Sequence, residues 1–276
     1  MTTTTLPDVQ TPTGALDALR NHWPEYLMEA ACLGLFMISA CVFSVLLSHP
    51  SSALNQAIDS PVLRRMIGGL AMGMTAVAIM FSPWGQRSGA HMNPAVTLTF
   101  LRLGKVARWD AAFYIAAQFT GGIAGVAVAS LAIGVPLRHA EVNYAVTQPG
   151  TAGVALAFAA EFLISFVLMS VVLRVANSGQ LSRYTPFFAG TMVALYIALE
   201  SPLSGMSMNP ARTFGSAFLA QEWQALWIYF TAPPLAMLLA GHLYQSQGKG
   251  RRVFCAKFHH HNNQRCIFHC NFDEMR

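Results

Sequence analysis

Charged residues are scarce in this chain. Only 11% of its 276 residues are Asp, Glu, Lys or Arg, and 54% are hydrophobic. Soluble domains usually carry about 25% charged residues, so this deficit argues against a soluble domain and indicates lipid surroundings. Runs such as GVALAFAAEFLISFVLMSVVL also lack the polar–apolar alternation of a transmembrane β-barrel strand. The composition therefore predicts an all-α membrane protein.

Two further features are missing. The first residues, MTTTTLPDVQTPTG, have neither the basic start nor the apolar core of a cleaved secretion signal, so we expect the first apolar segment to remain in the chain. The five cysteines form no persuasive extracellular pair, because two fall in that segment and three near the carboxyl end. We predict no structural disulfide among them. They are Cys32, Cys41, Cys255, Cys266 and Cys270.

Six apolar stretches are long enough to cross about 30 Å of hydrocarbon as helices. They lie near residues 27–47, 66–83, 110–133, 153–175, 185–201 and 224–245. An even number of spans puts both termini on one side, where most basic residues fall; mainly Arg64, Arg65 and Arg138 lie opposite. The positive-inside rule then predicts cytoplasmic termini in a plasma or inner cell membrane. We attribute the net charge of +5 to this topology and expect no nucleic-acid partner.

The chain repeats a polar phrase, SGAHMNPAV from Ser88 and SGMSMNPAR from Ser204. Each half also carries a glutamate early in its first span, Glu29 and Glu161. With three spans in each half, the second half must enter from the opposite side, which makes an inverted repeat. We predict repeats at about 25–133 and 151–247 of a channel domain at 25–247, with tails at 1–24 and 248–276.

Each phrase is followed by an apolar run too short to span, AVTLTFLRL and ARTFGSAFLA. At about 1.5 Å per residue such a helix reaches only about half the bilayer. Non-helical backbone at membrane depth is tolerated only beside protein or a water-filled cavity. In isolation, each Asn-Pro would be read as a helix cap followed by a proline at the first helical position. Its symmetric repetition predicts two re-entrant half-helices that meet at the midplane and line a pore.

Asn93 and Asn209 are expected at the amino ends of these half-helices, where the helix dipoles repel cations. Their NH₂ groups can donate to the oxygen of a neutral solute, and a water that accepts from both cannot readily receive a proton. Backbone carbonyls before each turn are expected to line the pore as acceptors. The predicted set is Gly89, Ala90, His91, Gly205 and Ser207.

Three ionisable residues within the spans need partners. Arg212 follows Asn209 by three positions, and arginine in a span costs about 2.5–3.5 kcal/mol on translocon scales. We predict that Arg212 faces the cavity at an extracellular constriction; the alternative is snorkelling to the interface. Glu29 and Glu161 are predicted to brace the loops by accepting N–H hydrogen bonds, with proton transport as the alternative. Several glycines are expected to permit close helix contact: Gly69, Gly73, Gly121, Gly122 and Gly125.

These features together resemble the major intrinsic proteins, the aquaporins and aquaglyceroporins. The resemblance covers about Glu25 to Tyr244 and includes Arg212, YTPFFAG, TAPPLAMLLAG and two Asn-Pro-Ala boxes. It implies the aquaporin fold, a homotetramer with one pore per protomer, and passive flow along osmotic or concentration gradients. We expect no cofactor, catalytic residue or metal site. The two boxes consist of Asn93, Pro94, Ala95, Asn209, Pro210 and Ala211.

The resemblance also implies a selectivity filter of four positions, of which the span-five and span-two positions each have two candidates. The family's water-selective pattern has a histidine in span five and a phenylalanine in span two, and neither is found here. The candidates are Arg212, Met206, Ile197 or Tyr196, and Gly73 or Met72.

The remaining sequence features favour water as the main solute. Thr213 stands where glycerol channels generally have Asp, the loops are short, and the Trp and Phe wedge of glycerol channels is missing. We expect water permeation, with glycerol, urea, ammonia and hydrogen peroxide as further neutral solutes. A glycerol or small-solute facilitator is the alternative.

The segment after Gly248 reads KGRRVFCAKFHHHNNQRCIFHCNFDEMR. Its three cysteines and four histidines can in principle bind zinc or copper, but their spacing matches no standard zinc finger. We predict a disordered basic tail near anionic lipid, with a metal-sensing gate as the alternative.

Two other function classes fit the sequence less well. An ion-coupled transporter also uses inverted repeats, but it needs an ionisable cluster at the midplane, where this chain pairs neutral asparagines. An intramembrane enzyme needs a nucleophile facing a base or metal ligands, and apart from Ser and Thr the spans show no such set. We predict a passive channel and not an enzyme.

Overall fold

The computed structural model describes residues 12–247 and 251–275, and these residues are helical or irregular, without a strand. The α-helices, in chain order, are α1 Ala15–Ser48, α2 Ala53–Ala57, α3 Pro61–Phe81, α4 Pro83–Ser88, α5 Pro94–Arg102, α6 Arg108–Ile133, α7 Val154–Ala176, α8 Thr185–Leu199, α9 Ser201–Ser204, α10 Pro210–Ala220 and α11 Leu226–Ser246. Short 3₁₀ helices occupy Val135–Arg138, Asn143–Ala145, Ser182–Tyr184 and Phe272–Met275.

Five helices of the described residues are long and apolar enough to cross a membrane: α1, α3, α6, α7 and α11. The sixth predicted span corresponds to α8, which has 15 residues and is therefore only about 22 Å long. The 3₁₀ turn Ser182–Tyr184 precedes it and the short α-helix α9 follows it, so helical turns extend this segment at both ends. The predicted all-α membrane fold is confirmed, and the chain is an integral membrane protein.

Helix α1 begins at Ala15, well before the span predicted at 27–47. Its added turns are held by Asp110 at the start of α6. One Asp110 carboxylate oxygen is 2.7 Å from His22 Nδ1 and accepts a 2.6 Å hydrogen bond from the Tyr26 hydroxyl. All three side chains are buried. A rule that looks for apolar runs misses this part of α1 because polar contacts stabilise it.

The two half-helices begin at the asparagine caps. Asn93 and Asn209 have extended backbones, and the proline that follows each is the first residue of α5 or α10. Proline suits this position because its missing N–H would have no partner inside the helix. With 9 and 11 residues, the half-helices are only about 14 and 17 Å long.

The second half repeats the order of the first, since α7, α8, α9, α10 and α11 correspond to α1, α3, α4, α5 and α6. Helix α1 packs along α6, α7 along α11, and α3 along α8 across the two halves. Each half-helix also packs on the other half, α5 on α11 and α10 on α6. This exchange brings the amino ends of both half-helices to the centre.

Close helix crossings depend on residues without a side chain. At Gly121 of α6, an added Cβ would overlap the backbone carbonyl oxygen of Ala30 in α1. At Gly125, one turn further along, it would overlap the backbone of Gly34. Membrane helices associate through such close packing of small residues.

One face of the molecule carries the start of α1 and residues 251–275, which meet where Arg265 Nη1 donates to the Asn21 carbonyl at 2.9 Å. We refer to it as the terminal face and to the opposite side as the far face.

Candidate pore

Asn93 and Asn209 lie beside each other where the two loops meet. The Asn93 side chain donates through Nδ2 to the Met208 carbonyl at 2.7 Å. The Asn209 side chain donates in the same way to the Met92 carbonyl at 2.6 Å. Each side-chain oxygen accepts from the N–H groups of its own half-helix. Because a primary amide carries two N–H donors, each asparagine retains one for a solute.

The loops before the asparagines have an unusual backbone. Gly89 and Gly205 have φ values of 93° and 79°. Four residues with side chains also adopt the left-handed region, which is uncommon outside glycine and marks backbone strain that the surrounding structure must hold. They are Ala90 (55°), Met92 (49°), Met206 (51°) and Met208 (55°). The same conformation therefore recurs in both halves.

Glu29 holds the first loop. Its fully buried carboxylate accepts from the Ser88 hydroxyl at 2.9 Å and from Gln118 Nε2 at 2.7 Å. It also accepts from the Met92 backbone N–H. The carboxylate thus connects α1, α6 and the loop that ends at Asn93.

Glu161 holds the second loop in the same way. Its buried carboxylate accepts from the Ser204 hydroxyl at 2.8 Å, from the Ser207 N–H at 2.6 Å and from the Met208 N–H at 2.7 Å. Both glutamates therefore make the contacts that the bracing interpretation predicts.

Two tyrosines complete the supports and were missed by the sequence analysis. The Tyr114 hydroxyl donates to the Ser88 carbonyl at 2.6 Å, and the Tyr229 hydroxyl donates to the Ser204 carbonyl at 2.5 Å. Both side chains are fully buried. The sequence spacing could have revealed them, because Tyr114 follows Ser88 by 26 residues and Tyr229 follows Ser204 by 25.

A cavity of about 460 Å³ runs past the asparagine pair. It reaches the far face at Arg64, Arg65 and Glu141, and it extends on the terminal side to Met80 and Phe258. Both loops contribute to its lining, so the re-entrant segments border open space and not a dry interior.

Four of the six filter candidates border this cavity, namely Arg212, Met206, Ile197 and Met72. Arg212 is held in place by its Nη1, which donates to the Ala145 carbonyl at 2.7 Å. The other two candidates are not among the lining residues. Gly73 faces the Gly190 backbone of α8, and Tyr196 packs against the hydrophobic core.

The predicted carbonyl path stays a prediction, and the structure places its residues in different surroundings. His91, Gly205 and Ser207 border the cavity, but Gly89 and Ala90 do not. The Gly89 carbonyl instead accepts a 3.2 Å hydrogen bond from the Phe258 N–H. The reason is that residues 251–275 occupy this side of the first loop.

Residues 251–275 form a folded tail lobe on the terminal face, which corrects the expectation of disorder. The Phe254 N–H donates to Asn177 Oδ1 at 2.7 Å, and Lys105 Nζ donates to the His269 carbonyl at 3.1 Å. Apolar burial explains why the lobe docks. Its buried residues are Val253, Cys255, Ala256, Lys257, Phe258, Ile267, Phe268 and Phe272.

The lobe also brings together four side chains that can ligate a metal, a possibility that the sequence left open as the alternative for this segment. The ligand atoms of Cys255, His260, Cys266 and Cys270 all lie within 4.8 Å of one another. Lys257 is buried beside them, and this burial lowers its pKa, while the neighbouring cysteines act in the opposite direction.

Comparisons with known proteins agree with this architecture. Residues 19–244 match the model of the family described as major intrinsic protein. The chain is 36% identical over 195 residues to Aquaporin NIP6-1 of Arabidopsis thaliana, covering 70% of this chain and 61% of that protein. It is 35% identical over 221 residues to Aquaporin NIP1-3 of Oryza sativa subsp. japonica, covering 80% and 74%.

A solved structure shares the fold. The X-ray structure of the aquaglyceroporin from Plasmodium falciparum superposes with a TM-score of 0.68 at 18% identity, covering 82% of this chain and 97% of that chain. Members of the matched family are passive channels, which agrees with the prediction that the chain is not an enzyme. The family match spans most of the sequence and includes both asparagine loops. This chain therefore belongs to the major intrinsic protein family, the family of the aquaporins and aquaglyceroporins.

Proposed function

We propose that this protein is a passive membrane channel for water that excludes ions and protons. The observation that carries the proposal is the crossed asparagine pair, Asn93 and Asn209, beside a cavity that reaches from the far face past both half-helix ends. A water molecule that enters the pore loses hydrogen bonds to bulk water, and donors on the pore wall replace them. Passage therefore needs no chemical step.

Selectivity against cations follows from three positive features along one path. Two half-helices point their amino ends, each equivalent to about half a positive charge, at the same cavity. The Arg212 guanidinium adds a full charge and borders the same space. This positive field repels a hydronium or metal cation, whereas a neutral molecule carries no net charge and is not repelled.

The filter composition supports small neutral solutes as additional cargo. Met72, Ile197 and Met206 give apolar lining to the same cavity that Arg212 borders, and no histidine stands at the described filter positions. Glycerol, urea, ammonia and hydrogen peroxide combine hydrogen-bonding groups with small size. This favours a glycerol or small-solute facilitator as the second candidate function.

The proposed setting is a plasma or inner cell membrane with the terminal face in the cytoplasm. The concentration of basic residues on that face supports this orientation through the positive-inside rule. Family resemblance supports a homotetramer with one pore per protomer, and membrane lipid is the other partner. Arg212 would then lie near the extracellular entrance, and the tail lobe would face the cytoplasm.

Stopped-flow light scattering on proteoliposomes tests the proposal. With a metal chelator present, vesicles with the protein are expected to shrink several-fold faster than empty vesicles under an osmotic gradient. Arg212→Ala is expected to keep water flux and to raise glycerol and urea entry, because a bulky donor leaves the constriction. Vesicles that shrink no faster than empty ones would refute water conduction.

A second prediction concerns the span-two filter position. Met72→Trp is expected to reduce water flux strongly, because Met72 is 6% exposed and its side chain borders the cavity. Met74→Trp is the matched control, since Met74 lies two residues further along α3 and is 58% exposed on the outer surface. Equal flux through both variants would show that Met72 does not line the conducting path.

A further inference from the structure

We propose that Cys255, His260, Cys266 and Cys270 bind one thiophilic divalent ion, Zn²⁺, and that the metal-bound tail lobe closes the pore entrance on the terminal face. The second part rests on the proposed channel function. The site itself depends only on the four side chains and their surroundings.

The geometry of the four groups suits a tetrahedral ion. Cys255 Sγ and Cys266 Sγ are 3.6 Å apart, and Cys270 Sγ lies 3.0 Å from His260 Nε2. Zinc–sulfur bonds of about 2.3 Å in a tetrahedron place two sulfurs about 3.8 Å apart, close to the observed separation. Three thiolates and one imidazole make a closed structural zinc site without an open position. Calcium and magnesium prefer oxygen ligands, so the donor set excludes them.

The surroundings balance the charge of such a centre. Three thiolates, a neutral imidazole and Zn²⁺ leave one net negative charge. Lys257 is only 3% exposed and lies near all three cysteines. Its ammonium donates to the Gln264 carbonyl at 3.1 Å and the Arg265 carbonyl at 2.8 Å.

A cross-link of this kind would add to the apolar contacts that dock the lobe. Its regular structure in residues 251–275 is a single 3₁₀ turn, Phe272–Met275. Small domains of fewer than about 40 residues usually need a metal, a disulfide or a partner to fold alone, and in this lobe the channel surface is the partner to which a metal would add. Pairwise disulfides would leave one of three cysteines over, and cytoplasmic thiols stay reduced. A single ion uses all four groups.

The ligands enclose the two segments that reach the pore. Cys255 and His260 flank Ala256–Phe258, in which the Ala256 carbonyl is 2.9 Å from His91 Nε2. Cys266 and Cys270 flank Phe268, whose ring stacks on His91 with centroids 5.3 Å apart and an interplanar angle of 11°. Binding one ion would therefore fix both segments against the loop that carries Asn93.

The cavity ends where the lobe begins. Phe258 borders it together with Met80 of α3, Leu168 of α7 and Ala189 of α8. Among the residues that the structure describes, none of α3 after Met80, of α7 after Leu168 or of α8 before Ala189 lines it. Helix α7 continues to Ala176 and α8 begins at Thr185, both beyond the last lining residues, but the open space does not extend along them. The lobe therefore occupies the position of a plug.

Metal analysis tests the site. Full-length protein purified with Zn²⁺ and freed of excess metal is expected to hold one zinc per chain, and Co²⁺ in its place should give the visible spectrum of a tetrahedral thiolate complex. His260→Asn and Cys266→Ser are expected to lose the ion. His259→Asn is the matched control, because it alters the adjacent histidine outside the ligand group. Zinc well below one per chain, or equal zinc in both histidine variants, would overturn the site.

Trypsin reports the position of the lobe independently of transport. Cleavage after buried Lys257, identified by mass spectrometry, is expected to accelerate several-fold when a zinc chelator is added or when His260 is replaced by Asn. His259→Asn should be cleaved like the unaltered protein. Equal cleavage with and without metal would overturn the closing role.

Measurements of water flux test whether the lobe closes the pore. Chelation is expected to raise water flux several-fold in the unaltered protein. The His260→Asn variant should already conduct at the higher rate, and chelation should not increase its flux further. Flux that chelation leaves unchanged in a conducting protein would overturn the gate. If neither the protein nor its variants conduct, the proposed function fails, and zinc content and cleavage still decide whether the metal holds the lobe.

Discussion

Replacing Glu161 with Ala is expected to destabilise the protein by several kcal/mol and to abolish water flux. The carboxylate accepts three hydrogen bonds, from the Ser204 hydroxyl and the Ser207 and Met208 N–H groups. Each buried donor left without an acceptor costs about 1–3 kcal/mol. These bonds also hold Met206 and Met208 in the left-handed backbone region, so the loop is expected to lose the conformation that positions Asn209.

Thermal unfolding in detergent, monitored by fluorescence-detected size exclusion, measures this loss. The melting temperature of Glu161→Gln should fall between those of the unaltered chain and Glu161→Ala. The glutamine carbonyl oxygen still accepts a hydrogen bond, but its NH₂ group faces a donor. Glu222→Ala is the control, since its carboxylate accepts one long 3.4 Å bond at the surface. If Glu161→Ala had the same melting temperature as the unaltered chain, the carboxylate would not brace the loop.

The second large effect is expected at the crossing of α1 and α6. Gly121→Leu should prevent assembly of the folded channel, because even a Cβ at this position overlaps the Ala30 carbonyl oxygen. Overpacking between flexible side chains costs about 1–3 kcal/mol. Here both colliding partners belong to helix backbone, so the helices must separate. Separation would also disturb Glu29, which joins α1 and α6 through Gln118.

The amount of monodisperse protein extracted from membranes measures the outcome. Ala124→Leu adds the same side chain to α6 at an exposed position three residues away and is expected to behave like the unaltered chain. If Gly121→Leu protein were recovered with normal yield and melting temperature, close packing at this crossing would not be required for folding.

The sequence predicted the helical membrane class because the pattern is local. Apolar runs, the scarcity of charge and the Asn-Pro caps of α5 and α10 each depend on neighbouring residues. The limits of the helices were less predictable. Helix α1 starts at Ala15 because Asp110, distant in sequence, binds His22 and Tyr26. Hydropathy contains no information on that contact.

The same distinction applies within the pore. Asn93, Asn209 and Arg212 could be predicted from a motif, but the choice between Met72 and Gly73 could not. Adjacent residues on a helix point about 100° apart, so a shift of one position exchanges a cavity-lining side chain for one that faces another helix. In the structure Gly73 packs on Gly190, whereas Met72 borders the cavity.

The sequence by itself determined the membrane class, the inverted repeat and the identity of the paired asparagines, because composition and repetition are read without knowing any long-range contact. Only the tertiary structure decided that residues 251–275 fold onto the loop that carries Asn93 and bring Cys255, His260, Cys266 and Cys270 together. The four residues follow no standard metal-binding spacing, so their convergence depends on how the lobe packs against the first loop. Contacts between residues more than 160 positions apart, such as His91 with Ala256, set that packing.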